Sequence, residues 1–296
     1  MKNVAVIAIG RNEGDRLRAC LESAVRQAEV VVYVDSGSTD GSVALAESLG
    51  CRVVNLDLSK PFTAARARNE GAAAAGEVEF FQFVDGDCEI VDGWVERALA
   101  EMSEKPDAAA VCGRRRERYP EATIYNKLCD LEWDTPVGQA KSVGGDALVR
   151  RSAFEQVGGY DPTVIAGEEP EMCVRLRQAG WTIWRVDAEM TLHDAAMTKL
   201  SQWWKRNKRA GHAYAEGNAR HGGEPEHHWE KEVKSNDRWG YLIPLWPLLW
   251  YRVWCQGRGG LYATFVTLGK LPQKLGQNTY RKNQAAGQRS GIIEYK

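Results

Sequence analysis

An apolar run over residues 80–84 ends in two carboxylates, Asp85 and Asp87, with a single glycine between them. The aromatic and branched side chains around Gln82 are typical of a buried parallel strand. In open α/β sheets, ligands bind at the carboxyl ends of the strands. Two carboxylates there can hold a hard divalent cation, and a substrate diphosphate is the commonest reason for such a cation. Because Asp-Gly is also an ordinary turn, other parts of the sequence are needed to tell a metal site from a turn.

The first half of the chain alternates apolar strands with amphipathic segments of helical spacing. This order predicts a mostly parallel sheet with helices on both faces. The predicted strands cover residues 3–9, 30–34, 51–56 and 78–84, and the predicted helices cover residues 14–28, 42–49 and 62–75.

Composition is that of a globular protein in a reducing compartment. The 296 residues suffice for one large domain or two smaller ones. Seven scattered cysteines without any C-x-x-C pair argue against a disulfide scaffold. The stretch before the first strand is too short for a signal peptide. We therefore expect a cytoplasmic protein.

Charge is distributed unevenly along the chain, although the formal net charge is only -1. Residues 199–296 contain 17 Lys and Arg against 7 Asp and Glu, whereas residues 1–198 contain 22 against 33. Such a division indicates a basic appendage with a partner of its own. No recognised nucleic-acid module accompanies the basic part, so we expect no nucleic-acid partner.

Several segments resemble motifs of family 2 glycosyltransferases, which have the GT-A fold. Residues 32–42, VYVDSGSTDGS, are similar to V-D-D-G-S-T-D-G-[ST], and residues 67–77 are similar to A-R-N-x-G followed by A-x-G-[ED]. Residues 144–151 resemble G-G-x-x-x-x-R-R. Residues 158–176 resemble G-G-[FY]-D followed by G-E-D-x-[DE]-L-x-x-R-L. With the D-x-D, these segments keep the family order over about two thirds of the chain, residues 3–194.

The resemblance implies a domain organisation and a reaction. A GT-A domain is expected over residues 1–198, with a nucleotide-binding half at 1–110 and an acceptor half at 111–198. A basic, Trp-rich helical extension would follow at 199–296. The implied activity is metal-dependent, inverting transfer of a sugar from a nucleotide diphosphate sugar, with a UDP-sugar favoured. The implied setting is the synthesis of cell-surface polysaccharide or glycolipid.

The resemblance also implies a site for Mn²⁺ or Mg²⁺, which would stabilise charge on the leaving diphosphate as a Lewis acid. Asp87 is the first choice for direct ligation. Asp85 would bond the ribose or reach the metal through water. His193, which follows the predicted strand 181–186, is the candidate third ligand, although a structural histidine explains it as well.

Five further residues are expected to bind the nucleotide sugar. Asp35 occupies the position from which the family binds base or ribose, although its usual second aspartate is here a serine. Arg68 would meet the base or the diphosphate, and Arg11 can offer a planar donor fork to the same ligand. Gly145 and Asp146 would contact the sugar.

Glu168 and Glu169 are the predicted catalytic pair. Inverting transfer needs a general base that takes the proton from the acceptor hydroxyl. The family places an aspartate where this chain has Glu169, which is therefore the predicted base, and Glu168 would orient the acceptor. Acidic residues are also favoured at a helix N-terminus for structural reasons alone.

The extension supports two interpretations. Tryptophans flanked by Lys and Arg suit a membrane interface, which would fit a lipid-linked acceptor as well as a saccharide, and a peripheral position on the inner face of the cytoplasmic membrane. A helical hairpin that packs on the catalytic domain or forms a dimer is the alternative.

Residues 221–236 are polar and predicted to be a loop. Residues 199–282 carry the membrane-contact prediction, and residues 241–255 fall short of a spanning helix.

Two other functions stay open at this point. A nucleotidyltransferase also places acidic metal ligands on a doubly wound sheet, but it would need a glycine-rich phosphate loop after the first strand. Residues 9–14, IGRNEG, have few glycines in a charged setting. A non-catalytic nucleotide-sugar binder that docks on a membrane is the second alternative, because Glu169 replaces the family aspartate.

Overall fold

A computed structural model describes residues 3–288 and residue 291. The chain divides into two compact units. The sheet unit comprises Met1–Arg118, Trp133–Val164 and Glu168–Ala195, and the helical unit comprises Tyr119–Glu132, Ile165–Gly167 and Ala196–Lys296. The sequence placed the first two of these helical-unit segments in residues 1–198.

The described residues form nine strands and eleven α-helices. The strands are β1 (Val4–Gly10), β2 (Val30–Asp35), β3 (Arg52–Asn55), β4 (Phe80–Asp85), β5 (Cys88–Ile90), β6 (Ala108–Glu117), β7 (Gly138–Gln139), β8 (Ala147–Arg150) and β9 (Thr182–His193). The helices are α1 (Asp15–Gln27), α2 (Ser42–Ser48), α3 (Ala64–Ala74), α4 (Trp94–Glu104), α5 (Ile124–Trp133), α6 (Arg151–Gln156), α7 (Glu168–Gln178), α8 (Leu200–His221), α9 (Glu230–Trp239), α10 (Trp246–Trp254) and α11 (Gly259–Ala285).

The strands form one sheet in the order β3-β2-β1-β4-β8-β6-β9-β5, with β7 paired to β9. The four strands predicted from apolar runs are present, and they pair in parallel as expected. The second half is mixed, because β8 runs antiparallel to β4 and β6, while β6 and β9 are parallel. Strand β9 is also longer than predicted, so His193 is its last residue and does not follow it.

Close packing of α3 on the sheet explains the glycine of the A-R-N-x-G segment. A Cβ at Gly71 would lie 2.4 Å from Ile7 Cγ2 on β1 and 2.9 Å from Val34 Cγ2 on β2. Both distances are shorter than packed carbon atoms tolerate. The absent side chain therefore lets α3 lie directly over the parallel strands, one turn beyond Arg68.

In the helical unit, α8 and α11 approach so closely that their backbones touch. A Cβ at Gly211 would lie 1.9 Å from the carbonyl oxygen of Gln273, and one at Gly276 would lie 1.9 Å from that of Lys208. Glycine at both positions makes this crossing possible. Within residues 3–288, no helix combines the length and the apolar character that crossing a bilayer requires.

The prediction of a loop over residues 221–236 is wrong for its second half, where α9 forms. The helix is mostly polar, but Val233 and Asn236 are buried, and Glu230 pairs with Lys234 one turn later. Because tertiary packing and an i,i+4 ion pair stabilise a helix that has little apolar periodicity, composition alone indicated a loop.

Candidate functional site

Carboxylates and guanidinium groups gather where β4, β6 and β8 meet. We call this set the acidic cluster. When all its members are ionised, it carries five negative and two positive charges. Ion pairs link Asp85, Asp146 and Glu168 with Arg68 and Arg115. We include Asp87, which contacts His193, and Glu169, whose carboxylate interacts electrostatically with Glu168.

Arg68 joins two of the predicted site residues, although they lie 83 positions apart in the sequence. Its Nη2 lies 2.7 Å from Asp85 Oδ1, and its Nη1 lies 2.7 Å from Glu168 Oε1. The arginine is buried, and its Nε has no hydrogen-bond partner among the described residues. Because a buried charge is tolerated only when it is paired, Arg68 fixes the orientation of both carboxylates.

Arg115 is a site residue that the sequence reasoning missed. Its Nη2 lies 2.8 Å from Asp146 Oδ2 and 3.9 Å from Asp85 Oδ2. Asp146 also accepts hydrogen bonds from the backbone N–H of Asp85 and from the hydroxyl of Thr191. An available signal was the apolar run 108–112 followed by three arginines, which is the pattern of a strand that ends at the site.

Gly145, a predicted sugar contact, has a structural role beside Arg115. Its φ is 106°, and a Cβ there would lie 2.9 Å from Arg115 Nη2. Glycine at this position therefore lets the loop before β8 adopt its left-handed backbone without displacing the guanidinium group.

Asp87 and His193 meet because β5 and β9 pair antiparallel, with Cys88 opposite His193. Asp87 Oδ2 lies 3.1 Å from His193 Nε2. Burial, aided by the positive charge of Arg115, lowers the pKa of His193 to about 4, so the ring is neutral at physiological pH. Its other nitrogen, Nδ1, has no hydrogen-bond partner within the described residues.

Trp133, which the sequence did not single out, supports His193. Its ring stacks on the imidazole with centroids 4.6 Å apart and planes 6° apart. The Arg115 guanidinium lies 5.7 Å from the centroid of the same tryptophan ring. Such contacts hold the imidazole plane against rotation.

The donor set fits a divalent cation. Asp87, Cys88 and His193 each bring one ligand atom within 4.8 Å of the others. A carboxylate and a neutral imidazole suit Mn²⁺, and the surplus of carboxylates in the acidic cluster favours a cation electrostatically. Burial raises the pKa of the Cys88 thiol, so it stays protonated and is a poor ligand for a hard cation.

Glu169 is buried and well satisfied. Its Oε1 accepts the N–H of Val143 at 2.7 Å and the thiol of Cys173 at 2.9 Å, while Oε2 accepts the N–H of Gly144 at 3.0 Å. Burial raises the pKa of Glu169, and these three hydrogen bonds oppose that rise. A raised pKa makes a carboxylate a stronger base near neutral pH.

Asp35 and Arg11 lie at the ends of β2 and β1. The Asp35 carboxylate is buried, and it accepts hydrogen bonds from the Tyr33 hydroxyl and from the backbone N–H groups of Gly37 and Ser38. It therefore shapes the loop after β2, as an Asx turn does. Arg11 is exposed in the loop after β1.

Comparisons with known proteins place these features in a family. The family model described as "Glycosyl transferase family 2" matches residues 5–158. The chain is 27% identical over 168 residues to the O-antigen chain rhamnosyltransferase RfbN of Salmonella typhimurium, covering 52% of this chain and 53% of that protein. It is 29% identical over 236 residues to the pre-mycofactocin glycosyltransferase of Mycobacterium tuberculosis, covering 74% and 48%. The chain thus spans about half the length of these two relatives.

Among solved structures, the chain resembles the mannosyltransferase PcManGT from Pyrobaculum calidifontis, whose structure was determined in complex with GDP-Man and Mn²⁺. The TM-score is 0.61 at 18% identity, covering 96% of this chain and 86% of that one. This likeness confirms the predicted α/β fold of the GT-A type with a helical C-terminal part. Family match and shared fold agree, and the chain belongs to glycosyl transferase family 2.

Proposed function

We propose that the protein is an inverting glycosyltransferase that moves a sugar from a nucleoside diphosphate sugar to an acceptor hydroxyl and uses Mn²⁺ or Mg²⁺. The observation that carries the proposal is the acidic cluster at the strand ends, in which Asp87 contacts the imidazole of His193. A surplus of buried carboxylates is costly unless a cation compensates it. A bound divalent metal ion supplies that compensation.

Asp87 and His193 would hold the metal, with Asp85 contributing through water or through the ribose. The metal supplies Lewis-acid stabilisation of the leaving diphosphate. Arg68 and Arg115 both face Asp85, and in the proposal they orient its carboxylate toward the bound donor. The proposed donor site is completed by Arg11, Asp35, Gly145 and Asp146. Asp35 and Gly145 contribute by holding the conformation of the loops in which they lie.

Glu169 is the proposed general base, and Glu168 is the proposed orienting group. Burial raises the pKa of Glu169, and its contacts with Val143 and Gly144 fix the carboxylate direction. A positioned base of this kind typically accelerates proton transfer by about 10²–10⁴-fold. The reaction is a single displacement without a covalent enzyme intermediate.

The setting we propose is the assembly of a cell-surface polysaccharide or glycolipid on the inner face of the cytoplasmic membrane. One relative is named for the O-antigen chain, which supports a saccharide or lipid-linked acceptor. The sequence favoured a UDP-sugar, whereas the solved neighbour holds GDP-Man. The test therefore includes both uridine and guanosine nucleotides.

The experiment is a thermal-shift panel of UDP-, GDP-, TDP- and CMP-sugars, with and without Mn²⁺. A ligand that binds only the folded protein raises its melting temperature. We expect one nucleotide to stabilise wild type in a metal-dependent manner, and Asp87→Ala to lose this shift. Asp92→Ala is the matched control, because the Asp92 side chain is 78% exposed. A donor-turnover assay on the stabilising nucleotide then separates an enzyme from a non-catalytic binder.

A further inference from the structure

The segment Tyr241–Trp254, which we call the apolar strip, is anchored to the helical unit by one side only. It contains a short 3₁₀ helix, Ile243–Leu245, followed by α10. Leu249 and Val253 are buried, and they pack in one hydrophobic cluster with Ala263 of α11. The Trp250 indole N–H donates to the Thr264 hydroxyl at 3.0 Å. These contacts hold the strip in a defined orientation.

The other side of the strip exposes a run of large apolar side chains. Leu248 and Tyr251 are 64% and 61% exposed, and they lie three residues apart on α10. Scattered exposed hydrophobic residues are normal, but a concentrated group marks an interaction surface. The other exposed members are Leu242, Ile243, Leu245 and Trp254, together with Tyr241, whose hydroxyl accepts a hydrogen bond from Asn278 of α11.

The charge within and after the strip is positive, although Asp237, just before it, neutralises part of this charge by pairing with Lys274 and Arg281. From Arg238 to Gln288 the chain has seven Lys and Arg and no Asp or Glu. Arg238 and Arg252, which lie just before the strip and within it, are both exposed. An apolar face with aromatic residues and a basic surround is the pattern of a helix that lies in an anionic lipid interface.

We propose that the apolar strip docks the chain onto the surface of a bilayer that contains anionic phospholipid. Charge complementarity favours this occupant over a second copy of the chain, because a symmetric contact through the strip would place two faces that each carry the exposed Arg238 and Arg252 against one another. The nine residues of α10 are too few to cross a bilayer. The strip therefore lies in the interface, with Leu248 and Tyr251 inserted.

Docking through the strip would keep the sheet unit at the surface where a lipid-linked acceptor is found. This consequence rests on the proposed function. The docking itself does not, because it needs neither donor nor metal.

Flotation on vesicles tests the proposal with the full chain. The vesicles are phosphatidylcholine with and without phosphatidylglycerol, and no nucleotide or Mn²⁺ is added. We expect wild type to bind the anionic vesicles and to dissociate as salt is raised. Leu248→Ser combined with Tyr251→Ser should lower the partition coefficient by about tenfold or more, since two apolar side chains no longer insert.

The matched control is Leu58→Ser combined with Val137→Ser, because these side chains are 67% and 57% exposed on the sheet unit. The control should bind like wild type, and unchanged melting temperatures exclude misfolding in either variant. Absence of wild-type binding, or equal binding by both double variants, would overturn the proposal. So would a dimer in light scattering that the strip variant dissociates without lipid. A negative result here leaves the transferase proposal intact, because the nucleotide panel is measured without vesicles.

Discussion

The Asp87 carboxylate lies 3.1 Å from the His193 imidazole, although 105 residues separate them in the chain. The contact follows from the antiparallel pairing of β5 with β9, which places Cys88 opposite His193. The fold therefore brings a D-x-D carboxylate and a neutral imidazole to one point at the edge of the acidic cluster.

Cys173→Ala should shift the pH dependence of turnover. The thiol donates a hydrogen bond to Glu169 at 2.9 Å and thereby lowers the pKa of that carboxylate, which burial raises. Without the thiol, the pKa rises further. A general base must be deprotonated, so the acid limb of the pH–rate profile should move to higher pH. The measurement is release of nucleoside diphosphate from the stabilising donor.

Cys173→Ser is the matched control, because its hydroxyl can donate the same hydrogen bond. It should leave the acid limb near that of wild type. Identical acid limbs for all three proteins would contradict the role of Glu169 as the base.

Arg68→Met should destabilise the sheet unit strongly. It leaves Asp85 and Glu168 without the guanidinium group that pairs with both. Breaking a buried pair by removing one partner typically costs about 3–5 kcal/mol. The measurement is urea denaturation followed by tryptophan fluorescence.

Arg18→Met provides the comparison, since Arg18 is 55% exposed and lies 3.6 Å from Glu22 on the same helix face. Exposed pairs contribute about 0–1 kcal/mol. Equal losses in the two variants would show that Arg68 does not act as a buried bridge.

Gly276→Ala should disrupt the contact between α8 and α11 and lower the free energy of unfolding. The added Cβ would lie 1.9 Å from the Lys208 carbonyl oxygen and 2.9 Å from the backbone nitrogen of His212. Overpacking of this kind costs about 1–3 kcal/mol or more. Gly260→Ala, in the first turn of the same helix, meets only Trp250 at 3.7 Å and should be neutral or stabilising. A Gly276→Ala protein as stable as Gly260→Ala in urea denaturation would be inconsistent with the close crossing.

Stability should fall on acidification below about pH 6.5, in part through His212. Burial lowers the pKa of His212 from 6.5 to about 4, and neither ring nitrogen has a hydrogen-bond partner among the described residues. Between these values the unfolded chain binds a proton that the folded chain does not, so stability is complete above pH 6.5 and is lost towards pH 4. His193 acts in the same direction.

His212→Phe removes one of these titrating groups. Its loss of stability between pH 7 and pH 4.5 should be smaller than that of wild type by about 2 kcal/mol. Urea denaturation at the two pH values gives this difference. Parallel losses in both proteins would contradict a neutral, buried His212.

Local patterns predicted the parallel half of the sheet because its strands are continuous apolar runs. Motif order also identified Asp85, Arg68, Asp146 and Glu168, which the fold does bring together in the acidic cluster. The three arginines at 114–116 are a visible signal in the sequence, but only the pairing of β6 with β8 and β9 singles out Arg115 among them.

Other features also depended on tertiary contacts. Trp133 acts through a ring stack that no local spacing encodes. Helix α9 was missed because Asn236 is buried by packing and not by apolar periodicity. The sugar contact of Gly145 stays a prediction, and the folded loop adds a backbone reason for this glycine, because a Cβ there would lie 2.9 Å from Arg115 Nη2.

Mn²⁺ binding, measured by electron paramagnetic resonance in the presence of the stabilising nucleotide, tests the proposed metal site directly. We predict that wild type binds the ion and that Asp87→Asn weakens its affinity by more than the roughly 10–100-fold that loss of a residue hydrogen-bonded to a metal ligand causes. Asp92→Asn should bind like wild type. Equal Mn²⁺ affinity in Asp87→Asn and wild type would contradict the claim that Asp87 and His193 form the metal site.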